Sequence, residues 1–413
     1  MIVYFCDMQS LLIIGYVWPE PTATAAGSRM LQLIDLFLQE NYKIVFACAA
    51  SFITSAEDLT KLGVETKTIQ PNDASFDTFI TTLNPSVVLF DRFLMEEQFG
   101  WRVAEQCPDA IRLLDSEDLH FLRKARAKAV KKGEALPKGV LFTEEAKREL
   151  ASIYRCDATL TISTYEMTYL QEVYGVPLYL LWYVPFMVTI ETAIKPLYEE
   201  RKDFVFVGNF IHAPNWDAVL YLKKELWPLL KKALPDTCMH IYGAYPSSKV
   251  FQLHSEAERF LVHGRADAVV TVMQQARVNL APLRFGAGLK GKLIDAMQAQ
   301  TPFVTTTIGA EGMFGTFDYN QVIADAPEEF VEKAVALYAN KSLWETYQQK
   351  GLEVLQANFC KEKIAPLFRE QFAVLQKELS TYRQQNFVGS MLQHHTLKSY
   401  KYLSKWIEEK NKS

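Results

Sequence analysis

The chain has 413 residues, 49% of them apolar, 13% aromatic and 22% charged. At about 100–200 residues per domain this length gives two or three domains, each able to bury its own core, and it excludes a small disulfide scaffold or a disordered tail. Forty-four Lys and Arg against 48 Asp and Glu leave a formal net charge of −4, so there is no positive excess to neutralise a nucleic-acid backbone, and a small anionic ligand held by local cations is the partner to expect.

Met1 to Asp7 begins without a basic n-region, and Asp7 interrupts the apolar run, which argues against a signal peptide. Apolar runs rich in β-branched residues then alternate with helical patterns, the signature of parallel sheets with crossover helices. The predicted strands of the first half are Leu11–Tyr16, Lys43–Ala47, Ser86–Phe90, Ala110–Leu114 and Thr159–Ile162. Met30, Leu31, Ile34, Phe37 and Leu38 predict a helix over Ser28–Glu40. The longest apolar stretch, Leu178 to Ile190, is too short to span a bilayer and contains Pro185. After the charged joint at 199–203, strands are predicted at Phe204–Gly208, Met239–Tyr242, Val278–Pro282, Phe303–Thr306 and Gln321–Ile323. From Glu328 to Leu379 the pattern is helical, as in terminal helices that brace one domain against another. The fold class expected is α/β, with doubly wound domains over 1–195 and 200–360 and helices over 361–413 crossing back to the first.

The six cysteines (Cys6, Cys48, Cys107, Cys156, Cys238, Cys360) form no C-x-x-C pair and no Cys/His cluster at metal-ligand spacing, and they read as thiols of a reducing cytoplasm. The chemistry concentrates instead in Arg284–Met297, which follows a predicted strand and enters a helix. Gly286, Gly288 and Gly291 let backbone N–H groups approach a ligand, and the helix N-terminus adds orphan donors and a partial positive charge. Arg284, Lys290 and Lys292 add full charges, a set suited to a diphosphate. A plain glycine-rich turn beside solvated lysines is the competing reading. The Gly/Lys order fits no Walker A loop, and the segment lies too late in its domain for a dinucleotide fingerprint.

Five segments now stand in order: Phe204–Ala218, with Gly208, Asn209 and His212; Ile241–Pro246, with Tyr242 and Gly243; His263–Asp267, with Arg265; Ala281–Lys292; and Val304–Gly312. Together they resemble the donor-binding domain of family 4 glycosyltransferases, the glycosyl transferases group 1. The resemblance implies the GT-B fold, two Rossmann-like domains facing a central cleft. It implies a nucleoside diphosphate sugar, UDP- or GDP-linked, on the second domain. Arg284, Lys290, Gly286, Gly288 and Gly291 would hold the diphosphate; Gly208, Asn209 and His212 would line the cleft; Tyr242, Gly243 and Arg265 would border the base; and Gly27 of the Gly27-Ser28-Arg29 loop would close on the phosphates. Two glutamates eight positions apart are usual in such enzymes; here the second is Asp295, on the ribose, and the first falls near Ala287, as in related G-A-G-x-K-G-K loops. Gln300 stands where a glycine is common.

In the first domain, Asp115, Glu117, Asp118 and His120 stand at a strand end facing the cleft. The resemblance implies that His120 and Asp118 help position the transferred sugar, with helix capping by Asp118 as the alternative. Asp91–Trp101 reads as a charged helix start or as a contact to acceptor or donor, and His240 as a core residue. Arg123, Lys124, Arg126, Lys128, Lys131, Lys132 and Lys138 fit a solvated helix face, or one that meets an anionic lipid surface or an acidic acceptor. Leu397, Tyr400, Leu403, Trp406 and Ile407 keep helical spacing beside lysines, as in a helix on a membrane or on a neighbouring domain.

The function expected is that of a cytoplasmic glycosyltransferase in polysaccharide, lipopolysaccharide or glycoconjugate assembly, acting on a glycan, lipid-linked or protein acceptor. By the resemblance it retains anomeric configuration and needs no metal and no cofactor. A nucleotide-sugar epimerase or hydrolase of the same fold and a non-catalytic donor-binding subunit are the alternatives.

Overall fold

The computed structural model describes residues 9–190 and 196–394, together with Trp406 and Lys410. The N-terminal segment before Gln9 and nearly all of the amphipathic segment around Leu397–Ile407 lie outside the described residues. The first sheet comprises β1 (Ser10–Gly15), β2 (Lys43–Cys48), β3 (Glu65–Thr68), β4 (Val87–Asp91), β5 (Ile111–Asp115), β6 (Ala158–Thr161) and β7 (Leu181–Tyr183), in the order β3-β2-β1-β4-β5-β6-β7. The second comprises β8 (Lys202–Val207), β9 (Met239–Tyr242), β10 (Phe260–Gly264), β11 (Ala276–Ala281) and β12 (Phe303–Thr305), in the order β10-β9-β8-β11-β12. Neighbouring strands run parallel in both sheets.

Both faces of the first sheet are covered. Leu11, Leu12, Ile13 and Ile14 are all fully buried; Leu11 and Ile13 join Phe46 and Leu89 in one core, while Leu12 and Ile14 join Val45 and Phe90 in the other. Central strands of a parallel sheet therefore show as unbroken apolar runs. In each sheet the strand order reverses beside the domain's first strand, at β1/β4 and at β8/β11. Crevices at such switch points, outside the carboxyl ends of the strands, are where open α/β sheets bind ligands.

Three expectations are corrected. Gln321–Ile323 is no strand: Asn320–Val322 is a 3-10 turn, and Ile323 makes a single bridge to Thr305 before the chain enters the helix Pro327–Ala339. Gly27-Ser28-Arg29 is no loop: it lies in the first turns of the helix Ala25–Gln39, whose N-cap Thr24 accepts the Gly27 N–H at 2.9 Å. His240 is half-exposed rather than core; it lies 3.4 Å from Asp203 and 2.9 Å from His263. Folding also gathers Asp203, Cys238 and His240, which the spacing of Cys and His had not suggested; the Asp203 carboxylate accepts the Cys238 N–H at 2.8 Å and ties the start of β8 to β9. Gln300 adopts a φ of +52°, the left-handed conformation that glycine would supply.

The helix Lys361–Gln385 returns to the first domain. Its Ile364, Phe368, Phe372 and Leu375 enter the core of Leu11 and Ile13, with Phe368 and Phe372 edge-on to Phe37 at 5.6 and 5.5 Å. The two segments linking the domains bond to each other, since Val188 donates to Phe359 at 2.8 Å and accepts from Lys361 at 3.1 Å.

Candidate active site

The strand ends of both sheets face a cleft of about 1480 Å³. On the second-domain side the loops after β8 and β9 are tightly packed. A Cβ on Gly243 would fall 2.0 Å from the Gly208 carbonyl, and one on Gly208 would fall 2.8 Å from Asn215. Small residues here let the two loops pass close to each other. The loop after β11 turns through Gly288 at φ +62° and leads into the helix Gly291–Gln298. Lys290 bends back over this loop, its Nζ donating to the carbonyls of Ala287 at 3.2 Å and Gly288 at 2.5 Å. Burial lowers its pKa, opposed by Glu311 and Glu166. Lys292 donates to Asn215 at 2.7 Å, and burial brings it down to about 8. Asp295, one turn on, is pushed up to about 7 by burial, with Lys292 opposing.

On the first-domain side a polar chain runs across the opening. Asp118 lies 3.4 Å from His120 and 3.0 Å from Arg123, and Arg123 meets His212 of the second domain at 2.9 Å. Burial opposes ionisation of Asp118, but the charge of Arg123 and the adjacent imidazole hold its carboxyl below the usual range. Burial drives His120 down to about 4 and His212 down to about 3, so both imidazoles are neutral at physiological pH and His212 accepts from the guanidinium. The helix that follows begins at His120 with Leu119 as its N-cap, so Asp118 is free of the capping role.

Twelve of the fifteen site residues expected from the sequence line this cleft: Gly27, Asp118, His120, Gly208, Asn209, His212, Gly243, Arg265, Gly286, Lys290, Gly291 and Asp295. Three do not. Arg284 turns outward onto the helix Ala213–Tyr221, where both oxygens of Asp217 take its guanidinium at 2.5 and 2.9 Å and the Tyr221 ring lies beneath it. Tyr242 stacks on His263 with ring centres 4.5 Å apart. Gly288 is sealed against the first domain, where a Cβ would fall 2.8 Å from that of Asp118.

Two contacts that sequence reasoning missed fasten the halves. Buried Glu166 accepts the N–H groups of Gly288 at 2.8 Å and Leu119 at 3.0 Å. Arg126 donates to the Gly286 carbonyl at 2.9 Å and pairs through both terminal nitrogens with Glu311 at 2.6 and 2.8 Å. Arg126 thus leaves the solvated basic face expected of it. The spacing of Leu122, Arg126 and Ala129, all buried, was the available signal. Arg123, Lys124 and Lys132 of the same run also find carboxylates within the chain, whereas Lys128 and Lys131 stay on the exposed face of the helix. Replacing Gly288 by Ala forces a Cβ into Asp118 at a φ that L residues resist; we expect a loss of about 1–3 kcal/mol in chemical denaturation, and an unchanged midpoint would contradict this packing.

Solved structures share this architecture. Sucrose-phosphate synthase from Thermosynechococcus elongatus is 15% identical, with 89% of this chain and 100% of that chain covered and a TM-score of 0.63. The pneumococcal O-GlcNAc transferase GtfA, solved in complex with UDP and GlcNAc, is 11% identical, with 89% and 99% covered and a TM-score of 0.66. At such identities the likeness establishes the fold, which is that of the GT-B glycosyltransferases. Residues 201–340, within the second domain, match the family model of "Glycosyl transferases group 1". An uncharacterized 44.6 kDa protein in the cps region of Klebsiella pneumoniae is 23% identical over 174 residues, or 40% of this chain and 45% of that protein, so the match spans less than half of this relative's length.

Proposed function

We propose that the protein is a glycosyltransferase that moves a sugar from a nucleoside diphosphate donor to an acceptor hydroxyl in the interdomain cleft. The observation that carries this reading is the loop 286–291 at the carboxyl end of β11, with the N–H groups of Gly286 and Gly291, the helix N-terminus behind it and Lys290 and Lys292 alongside, lining the same cleft as Asp118 and His120. In the reaction the bond from the anomeric carbon to the β-phosphate oxygen breaks and its electron pair leaves with the diphosphate. The acceptor oxygen bonds to that carbon, and its proton passes to the departing phosphate. Attack from the leaving-group face retains configuration. Charge growing on the phosphate is met by Lys290, Lys292 and the loop N–H groups, a preorganised set that does the electrostatic work without a metal ion. Asp295 is placed for ribose hydroxyls, and neutral His120 and His212 for hydroxyls of the donor sugar. Arg265, which reaches Thr22 across the cleft at 2.5 Å, borders the space for the base.

UDP is the first nucleotide to test, since it is the one bound in GtfA. The cps region named for one relative, and a lipopolysaccharide outer core galactosyltransferase, WaaB, among the similar folds, favour polysaccharide or lipopolysaccharide assembly as the setting. No described helix is long and apolar enough to cross a membrane. Incubating the full chain with UDP- and GDP-sugars, with and without a mixed glycan acceptor pool, tests the reading. Acceptor-dependent release of the nucleoside diphosphate is the expected outcome. Donor consumption that ignores acceptor would make the protein a hydrolase or epimerase, and donor binding without turnover would make it a binding subunit.

A further inference from the structure

Resting on that reading, we infer that Asp91, Arg92 and Glu117, at the ends of β4 and β5, form the acceptor subsite, and that the acceptor presents a neutral saccharide residue to it. All three line the first-domain side of the cleft. Arg92 has φ +71° and ψ 158°, a combination almost reserved for glycine, and Glu117 has φ +59°. The two strained residues end neighbouring strands, and the Arg92 N–H is held by the Asp115 carbonyl at 2.8 Å. Strain of this kind persists where the surrounding structure enforces it, and it gathers at ligand clamps.

The polar groups at this point are incompletely used. The Arg92 guanidinium lies 5.0 Å over the Tyr16 ring and 3.6 Å from Asp91, yet it donates no hydrogen bond to any described residue. Asp91 accepts the Tyr16 N–H at 2.9 Å through one oxygen, while its other oxygen, the one facing Arg92, and one oxygen of Glu117 are buried without a hydrogen bond from any described residue. The neighbouring acids are already committed, Asp115 to Arg29 and Asp118 to Arg123. What remains is one guanidinium against two carboxyl groups. The Arg92 charge is already faced by Asp91, so a phosphate or a uronate finds no unopposed positive charge in this set. A neutral sugar supplies hydroxyls that both donate and accept, and its C–H face suits the exposed Tyr16 ring. Burial and the charge of Asp115 push Glu117 up to about 8, so it keeps a proton at neutral pH and adds a donor without adding charge.

The test uses the full chain preloaded with UDP and titrated, by saturation-transfer NMR, with the methyl glycosides of glucose, galactose and mannose, with glucose 6-phosphate and glucuronate, and with a Ser/Thr peptide. Arg92→Gln, Arg92→Lys and Glu117→Ala are compared, with folding checked by near-ultraviolet circular dichroism. Binding of at least one neutral glycoside in preference to the anionic sugars and the peptide is expected, weakened at least about tenfold in Arg92→Gln and Glu117→Ala, with Arg92→Lys intermediate and UDP affinity kept. Preference for the anionic sugars or the peptide, no glycoside binding to UDP-loaded protein, or variants that bind glycoside as the parent does would overturn the inference. Failure of UDP and GDP alike to bind would instead mark failure of the donor reading.

Discussion

Arg29→Met is expected to destabilise the first domain by about 3–5 kcal/mol, because it leaves a buried carboxylate without the guanidinium that pairs with it. Arg29 and Asp115 are both fully buried, joined by three hydrogen bonds of 2.7–3.0 Å, and the remaining Arg29 nitrogen donates to the Val184 carbonyl at 2.6 Å. The pair therefore ties the first helix to the end of β5 and to the segment that leads out of the domain. Asp115 has no route to water, so the loss is the penalty of a stranded charge rather than the worth of one ion pair. Urea denaturation reads the effect. Arg29→Met/Asp115→Asn should recover part of it, since removing both partners removes the stranded charge. A single variant within experimental error of the parent would show that the carboxyl finds another partner or a proton at no cost.

Lys290→Ala is expected to weaken nucleoside diphosphate binding by about 10- to 150-fold, the range for losing hydrogen bonds to a charged group. Only 7% of Lys290 is exposed, yet it lines the cleft, and its Nζ rests on two loop carbonyls that a phosphate would replace as partners. Arg284→Ala is the informative contrast. Its guanidinium is neutralised by Asp217 outside the cleft, so calorimetric titration should give parental affinity. Equal losses at the two positions would mean that the loop rearranges when ligand binds.

That contrast shows where sequence reasoning stops. Three cations within nine positions point to phosphate, but a sequence does not reveal that Asp217, 67 positions earlier, takes one of them. Strands such as β1 are legible because burial on both faces leaves an apolar run, whereas β3, Glu65–Thr68, is exposed along its whole length and carries no such mark. The glycine-rich loop and its order relative to the other motifs could be read directly, since tight approach demands those residues. Glu166 could not, and for Arg126 the helical spacing signals burial but not its partner, because such helix positions join the site only through contacts with the second domain. Nor does any local pattern announce a left-handed Arg92 or Glu117; their conformations are imposed by the sheet ends they terminate.

Binding of a diphosphate by the loop 286–291 is measured by calorimetric titration of the full chain with UDP and GDP, each alongside its monophosphate and its nucleoside. One of the diphosphates is expected to bind one per chain, with its monophosphate weaker by at least about tenfold and its nucleoside weaker again, because the charged hydrogen bonds reside in the phosphates. A nucleoside that binds as tightly as its diphosphate, or no heat from either diphosphate, would contradict it.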